Sequence, residues 1–139
     1  MSEPHVEGLK TFQSAFGPEA TMDRLLAEIA SKGLTVFARI DHSALASGVG
    51  LSLSRTELVL FGNPRGGTPL MQENQTIGID LPLKALIWQD PQGRTWLSYN
   101  DPEWLALRHK ISRAGVVIDT LRKLIEVISA AATGRPPAK

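Results

Sequence analysis

The chain has 139 residues, a formal net charge of +1 at pH 7 and no cysteine. This length is that of one domain with a buried core, which we assign to residues 5–133, with a disordered tail at residues 134–139. The small charge gives no electrostatic basis for binding nucleic acid or an acidic membrane, and the lack of cysteine excludes disulfides, thiolate catalysis and cysteine zinc sites.

The first third of the chain alternates between predicted strands and helices. Weak alternation over residues 6–12 predicts an edge strand, and Gly17-Pro18-Glu19 then starts a helix that ends at Gly33. Residues 34–40 predict a second strand with its even-numbered residues on one face. Asp41 follows this strand and is placed to cap a short helix.

The centre of the chain carries an apolar strand followed by a turn rich in glycine and proline. Residues 56–61 are typical of a strand buried on both faces, and Asn63-Pro64 ends it. Thr68-Pro69 predicts a helix start with the threonine as its cap. Free amides at that start, after Gly66-Gly67 and beside Arg65, would hold an anion. The alternative is a rigid connection with a solvent-facing arginine.

The clearest local pattern is an antiparallel hairpin in the second half. Asp90-Pro91-Gln92-Gly93 has the residues of a type I turn and lies between strands predicted at residues 83–89 and 94–99. Asp101 then caps a helix, and a last helix carries a wide apolar face that packs on the sheet or on a second subunit. This order predicts an α+β fold, a two-layer sandwich of a mainly antiparallel sheet with helices on one face, plus a C-terminal helix.

Several motifs resemble those of the domain of unknown function 302 (DUF302) family. They comprise segments 61–64, 67–71, 79–84 and 98–102, together with Asp41-His42 and Arg108-His109. The similarity runs from Gly8 to His109. It implies a small, dimeric α+β domain of soluble bacterial proteins, and it supplies no substrate. Residues 1–5 lack the basic-then-apolar order of a signal peptide, which favours a cytoplasmic location.

Polar residues that follow predicted strands indicate a ligand site, if these strand ends meet at one edge of the sheet. The leading hypothesis is a small, anionic ligand bound by the strand-end loops. The residues assigned to it are Asn63, Arg65, Gly66, Gly67, Thr68, Asn100, Asp101 and His109.

Three alternatives to simple binding remain open. In an enzyme, His42 would be a general base or acid that Asp41 or Asp101 orients. In a metal-dependent enzyme, His42, His109 and a carboxylate would be the ligands. No metal-ligand spacing such as His-x-x-x-His occurs, so we assign no metal site, and the sequence requires no cofactor. The third alternative is a homodimeric interaction module that uses the apolar face of the last helix.

Overall fold

The computed structural model describes residues 5–138, which form a five-stranded sheet packed against helices. The strands are β1 (Leu9–Gln13), β2 (Thr35–Asp41), β3 (Thr56–Gly62), β4 (Leu83–Gln89) and β5 (Thr95–Asn100). The helices are α1 (Pro18–Ser31), α2 (His42–Gly48), α3 (Pro64–Glu73), α4 (Pro102–Arg108) and α5 (Gly115–Thr133), with a 3₁₀ helix at Gln75–Ile79. The predicted α+β fold is confirmed.

The sheet has the strand order β1-β5-β4-β3-β2, and every neighbouring pair is antiparallel. The predicted hairpin is confirmed as β4 and β5, with Trp88 opposite Trp96 and their rings stacked 5.9 Å apart. Strand β1 lies at one edge, as predicted, and β2 lies at the other. Each edge strand leaves a row of backbone groups without a strand partner among residues 5–138.

Strand β2 departs from the predicted alternation. Its pairing with β3 shifts between Val36 and Ala38, so that Val36 faces Phe61 whereas Ala38 faces Leu60. Phe61 and Leu60 are neighbours on β3 and point to opposite sides of the sheet, so their partners Val36 and Ala38 do so too. A bulge inserts one extra residue, here Phe37, and such an irregularity leaves no signal in the apolar pattern. The prediction of one face for the even-numbered residues is therefore wrong.

The core lies between the sheet and the two long helices. Helix α5 buries one face along its length, with Ile125 and Ile128 at 2% and 0% exposure, and α1 packs beside it. Of the two uses predicted for the apolar face of α5, the structure shows packing within the subunit. No helix among residues 5–138 combines the length and apolar character needed to cross a membrane.

Helix α3 begins earlier than predicted. It starts at Pro64, because the Asn63 side chain caps it by accepting a hydrogen bond of 2.9 Å from the Arg65 amide. Thr68 is therefore inside the helix, and Pro69 is an internal proline. The same pattern of a capping residue followed by proline occurs twice, and the copy directly after the strand is the one used.

The residues after α5 have defined contacts up to the end of the described chain. Arg135 lies 2.6 Å from a carboxylate oxygen of Glu126, and its guanidinium lies 3.5 Å from the centre of the Phe12 ring. The amide of Ala138 donates to the same carboxylate. The segment assigned to a disordered tail thus begins with residues that contact β1 and α5.

Candidate functional site

The turn after β3 borders a groove between the sheet, α3 and α5. The cavity has a volume of about 620 Å³, which lies in the range of small-molecule sites. Most of its wall is apolar. The apolar side chains in its lining are Leu34, Phe37, Leu60, Pro64, Met71, Leu81, Pro82, Leu83, Leu121 and Leu124.

Five residues assigned to the ligand site do line this groove: Asn63, Arg65, Gly66, Gly67 and Thr68. Their backbone amides, however, are not the free donors that we expected. The amides of Gly66 and Gly67 donate to the Asn63 carbonyl at 2.9 and 3.3 Å, and the Arg65 amide donates to the Asn63 side chain. The expectation of an anion held by loop amides is therefore wrong, because capping and helix formation already use these groups.

The side chains at this end of the groove remain available. Arg65 is exposed, and its guanidinium has no ion pair or hydrogen bond with any of residues 5–138. The Asn63 amide nitrogen and the Thr68 hydroxyl also make no hydrogen bond within that part of the chain. Thr120 of α5 also lines the groove, but its hydroxyl donates to the Val116 carbonyl at 2.9 Å. The groove thus has a mostly apolar wall and a polar rim, where Arg65 is the only ionisable side chain among the described lining residues.

Asp41 and His42 lie far from this groove. In the pairing of β2 with β3, Asp41 is opposite Glu57 whereas Thr35 is opposite Gly62. Gly62 lies five positions after Glu57 along β3, which is about 17 Å at the usual rise per residue. The expectation that these strand ends meet at one edge is wrong, because the sheet is antiparallel.

The side chain of Asp41 has a structural partner rather than a catalytic one. It accepts hydrogen bonds from the Ser43 hydroxyl at 2.6 Å and from the Ala44 amide at 2.9 Å, and these bonds lower its pKa. It therefore caps α2, as the sequence predicts. His42 is exposed, and its ring has no hydrogen bond to Asp41 or to any other described residue.

Asn100 and Asp101 lie at the same end of the sheet as Gly62, but β4 separates their strand from β3. Asp101 caps α4 by accepting a bond of 3.0 Å from the Glu103 amide. It lines a second, more polar cavity beside β1, together with Lys10 and Thr11. Neither residue lines the groove at Arg65.

His109 is 7% exposed and belongs to a hydrogen-bonded cluster outside the groove. Its Nε2 lies 2.5 Å from Asp80 and its Nδ1 lies 2.9 Å from the Thr76 hydroxyl. Arg108 approaches the same Asp80 carboxylate at 2.8 Å. The Asn74 side chain donates to the His109 carbonyl at 2.6 Å. These contacts attach the end of α4 to the 3₁₀ helix.

The His109 cluster contributes to the groove indirectly. Asp80 lies between Gly78 and Leu81, both of which line the groove. Lys84 donates to the Asp80 carbonyl at 3.0 Å, and burial lowers the pKa of this lysine while Asp80 opposes the shift. The cluster therefore fixes the segment that forms one wall. His42 and His109 lie at opposite ends of the sheet, so they cannot share a metal ion, and residues 5–138 contain no other group of potential ligands.

The residues missed by sequence reasoning are the apolar ones. Met71 and Leu81 had a signal, since both belong to the segments that resemble the family motifs. Leu121 and Leu124 had none, because their apolar character is fully explained by a helix face. Their position over α3 depends on the packing of α5, which is separated from α3 by the whole hairpin.

The same fold occurs in a solved structure. The uncharacterized conserved protein DUF302 from Bacillus stearothermophilus superposes with a TM-score of 0.81, covering 91% of this chain and 99% of that one. The two sequences are 18% identical, so the likeness concerns the fold.

Curated relatives match by sequence over part of their length. "Fluoride-specific ion channel FluC 1" of Brucella suis biovar 1 (strain 1330) is 50% identical over 104 residues, which cover 75% of this chain and 41% of that protein. "Fluoride-specific ion channel FluC 2" of Brucella melitensis biotype 1 has the same identity over 104 residues and is covered to 38%. The chain thus spans about two fifths of these relatives. The profile of the family described as "Domain of unknown function DUF302" matches residues 10–131, and this chain belongs to that family.

Proposed function

We propose that the groove between α3, α5 and the end of the sheet where β2 begins and β3 ends is a binding site for a small molecule. The observation that carries this proposal is an apolar cavity of about 620 Å³ whose rim holds one ionisable side chain, Arg65. Cavities of this size that are mostly apolar and have a few polar groups at one place are typical ligand sites. Arg65 is available to an anionic group of the ligand, because no carboxylate among residues 5–138 pairs with it.

The test is a substitution that changes the wall of the groove without disturbing the core. Leu124 lines the groove and is partly exposed, so Leu124→Gln is expected to fold while making the wall polar. Wild type is expected to bind the fluorescent apolar anion 8-anilinonaphthalene-1-sulfonate at one saturable site, and Leu124→Gln to bind it at least about fivefold more weakly, which corresponds to about 1 kcal/mol.

Val127 provides the matched control. It lies one turn further along α5, is 37% exposed and does not line the groove. Val127→Gln makes the same change of polarity on the same helix, and binding is expected to equal that of wild type. Equal weakening by both substitutions, or no saturable binding by wild type, would count against the proposal.

Fluoride is a poor fit to this groove, although the curated relatives are named for it. A desolvated fluoride ion requires several N–H or cationic donors, since burying an unpaired charge is costly. The amides of Gly66 and Gly67 are occupied, and the side-chain donors that remain, on Arg65, Asn63 and Thr68, lie at the exposed rim, where they do not enclose a bare ion. The chain covers only 41% of the Brucella suis relative, which leaves most of that protein outside the comparison. We therefore favour a larger, partly apolar ligand.

A homodimer is a second candidate function, and a different surface supports it. Apolar side chains are exposed along α2, the loop after it and the edge strand β2. They are Val36, Leu45, Val49, Leu51 and Leu53, with exposures between 39% and 74%. Exposed apolar groups next to an unpaired strand edge are typical of a protein contact.

Sedimentation of single variants tests the dimer. If the surface around α2 is the contact, wild type sediments as a dimer and Leu51→Glu as a monomer. Leu107 is 80% exposed but lies on α4, so Leu107→Glu is the matched control and is expected to leave the mass unchanged. A monomeric wild type at micromolar concentration would remove this candidate.

A further inference from the structure

We infer that the ligand of the groove is an amphipathic carboxylate, with its carboxylate at Arg65 and an aliphatic chain of about eight to twelve carbons along the apolar wall. This inference rests on the proposed binding function and narrows it to one chemical class.

The charge distribution of the lining determines the head group. Arg65 is the one ionisable side chain among the described lining residues, and no acidic residue accompanies it. Seven other arginines of the described chain have ion pairs, hydrogen bonds or ring contacts through their side chains. Arg65 has none. A planar guanidinium without a partner is suited to a carboxylate, which it binds through two parallel hydrogen bonds.

The neighbours of Arg65 fit the same head group. Asn63 uses its side-chain oxygen to cap α3, so the amide nitrogen is the part that remains for a ligand. Thr68 contributes a hydroxyl on the next turn of the helix. Both can donate to an oxygen anion. Together with Arg65 they are the lining side chains whose donors are not already used within residues 5–138, since the Thr120 hydroxyl donates to a backbone carbonyl. A ligand with polar groups along its length would lose its hydrogen bonds to water elsewhere in the groove.

The apolar wall determines the remainder of the ligand. Leucines from four separate segments form it, represented by Leu34, Leu60, Leu81 and Leu124. No aromatic ring is present in the described lining except Phe37, which is half exposed, so the wall offers no pair of rings between which a planar group would stack. Aliphatic side chains of this kind favour a flexible aliphatic chain, and each methylene that leaves water is expected to raise the affinity about fourfold.

The experiment measures binding of matched amphiphiles below their critical micelle concentrations by isothermal titration calorimetry. Hexanoate, octanoate and decanoate vary the chain, whereas decanol and decyltrimethylammonium replace the head. We expect affinity to rise about fifteenfold for every two methylenes, and decanoate to bind about fivefold more tightly than decanol. Arg65→Ala is expected to remove the advantage of decanoate over decanol.

Arg113 supplies the control for charge. It is the other arginine whose side chain has no partner among residues 5–138, and it does not line the groove. Arg113→Ala is therefore expected to keep the preference for decanoate, which separates a local contact from the effect of net charge.

The outcomes distinguish the two levels of the argument. Equal binding of decanoate, decanol and the ammonium compound, weakened by Leu124→Gln, would overturn the carboxylate assignment and leave the groove as a binding site. Binding of decanoate that Arg65→Ala does not change would also overturn it. No binding of any apolar compound would overturn both the assignment and the proposed function.

Discussion

Replacement of His109 by alanine is expected to destabilise the fold, whereas the same change at His42 is expected to have almost no effect. His109 is 7% exposed and has hydrogen bonds through both ring nitrogens, to Asp80 at 2.5 Å and to Thr76 at 2.9 Å. His42 is exposed, and its ring has no hydrogen bond with any described residue. The two histidines therefore form a matched pair within one chain.

The hydrogen bonds of His109 set the magnitude. A bond to a charged partner such as Asp80 contributes about 1.5–3 kcal/mol, and a neutral bond such as that to Thr76 contributes about 0.5–1.5 kcal/mol. Asp80 retains its pair with Arg108, so its carboxylate is not left without a partner. We expect a loss of about 3 kcal/mol for His109→Ala and less than about 0.5 kcal/mol for His42→Ala.

Urea denaturation and thermal denaturation, both monitored by circular dichroism, provide the measurements. For a domain of this size, a loss of about 3 kcal/mol lowers the melting temperature by about 10 °C. The double variant with Thr76→Val is expected to be less destabilised than the sum of the single variants, by about 1 kcal/mol. If His109→Ala has the stability of wild type, the cluster around Asp80 does not hold the 3₁₀ helix to α4, and our account of that wall of the groove is incorrect.

Three other predictions concern single positions. Burial raises the pKa of Asp90, but hydrogen bonds from neighbouring side chains and amides outweigh it and hold the pKa at about 2, below the ordinary 3.8. The stability from its charge is present above 3.8 and is lost as the pH falls through about 2, so the urea midpoints of wild type and Asp90→Asn should converge in that window and stay apart at neutral pH. At Gly8, which has φ of 77°, an added Cβ would lie 2.3 Å from the Trp104 side chain, whereas Gly33 has φ of 70° and open space around it. Gly8→Ala should therefore lower the melting temperature more than Gly33→Ala does. Equal effects of the two substitutions would contradict the clash. Gly67→Ala should raise the free energy of unfolding by about 0.5–1 kcal/mol, because Gly67 lies inside a helix, and a lower urea midpoint would contradict this.

The parts of the fold that the sequence predicted correctly are those decided by a few adjacent residues. Asp41 and Asp101 cap their helices, as expected from a carboxylate at the end of a strand. The turn that contains Asp90 joins β4 to β5, because Pro91 fixes φ at its second position and Gly93 adopts the positive φ of 82° at its last. In each case the physical cause lies within four residues of the position predicted.

The incorrect predictions concern two kinds of place. At one kind, two possible helix starts lie close together in the sequence; at the other, segments that are far apart in the sequence meet in the fold. Asn63 and Thr68 are both capping residues followed by proline, and only the strand that ends at Gly62 decides between them. The bulge at Phe37 depends on pairing with β3 and has no local signature. The positions of His42 and Arg65 at opposite ends of the sheet follow from its antiparallel order, which the pattern of strands alone leaves open.

Gly66 and Gly67 connect these observations to the proposed function. In the sequence they indicate exposed backbone amides, yet in the structure they are internal residues of α3 with no left-handed φ. Two helix-interior glycines cost about 1–2 kcal/mol relative to alanines. An added Cβ would lie 3.5 Å from Leu121 at Gly66 and 3.5 Å from Leu81 at Gly67, which is ordinary contact, so neither clash nor backbone conformation accounts for them. Both positions face walls of the groove, and the space that the missing side chains leave belongs to it. A loss of helix stability in exchange for room in a cavity is expected where a site takes a ligand.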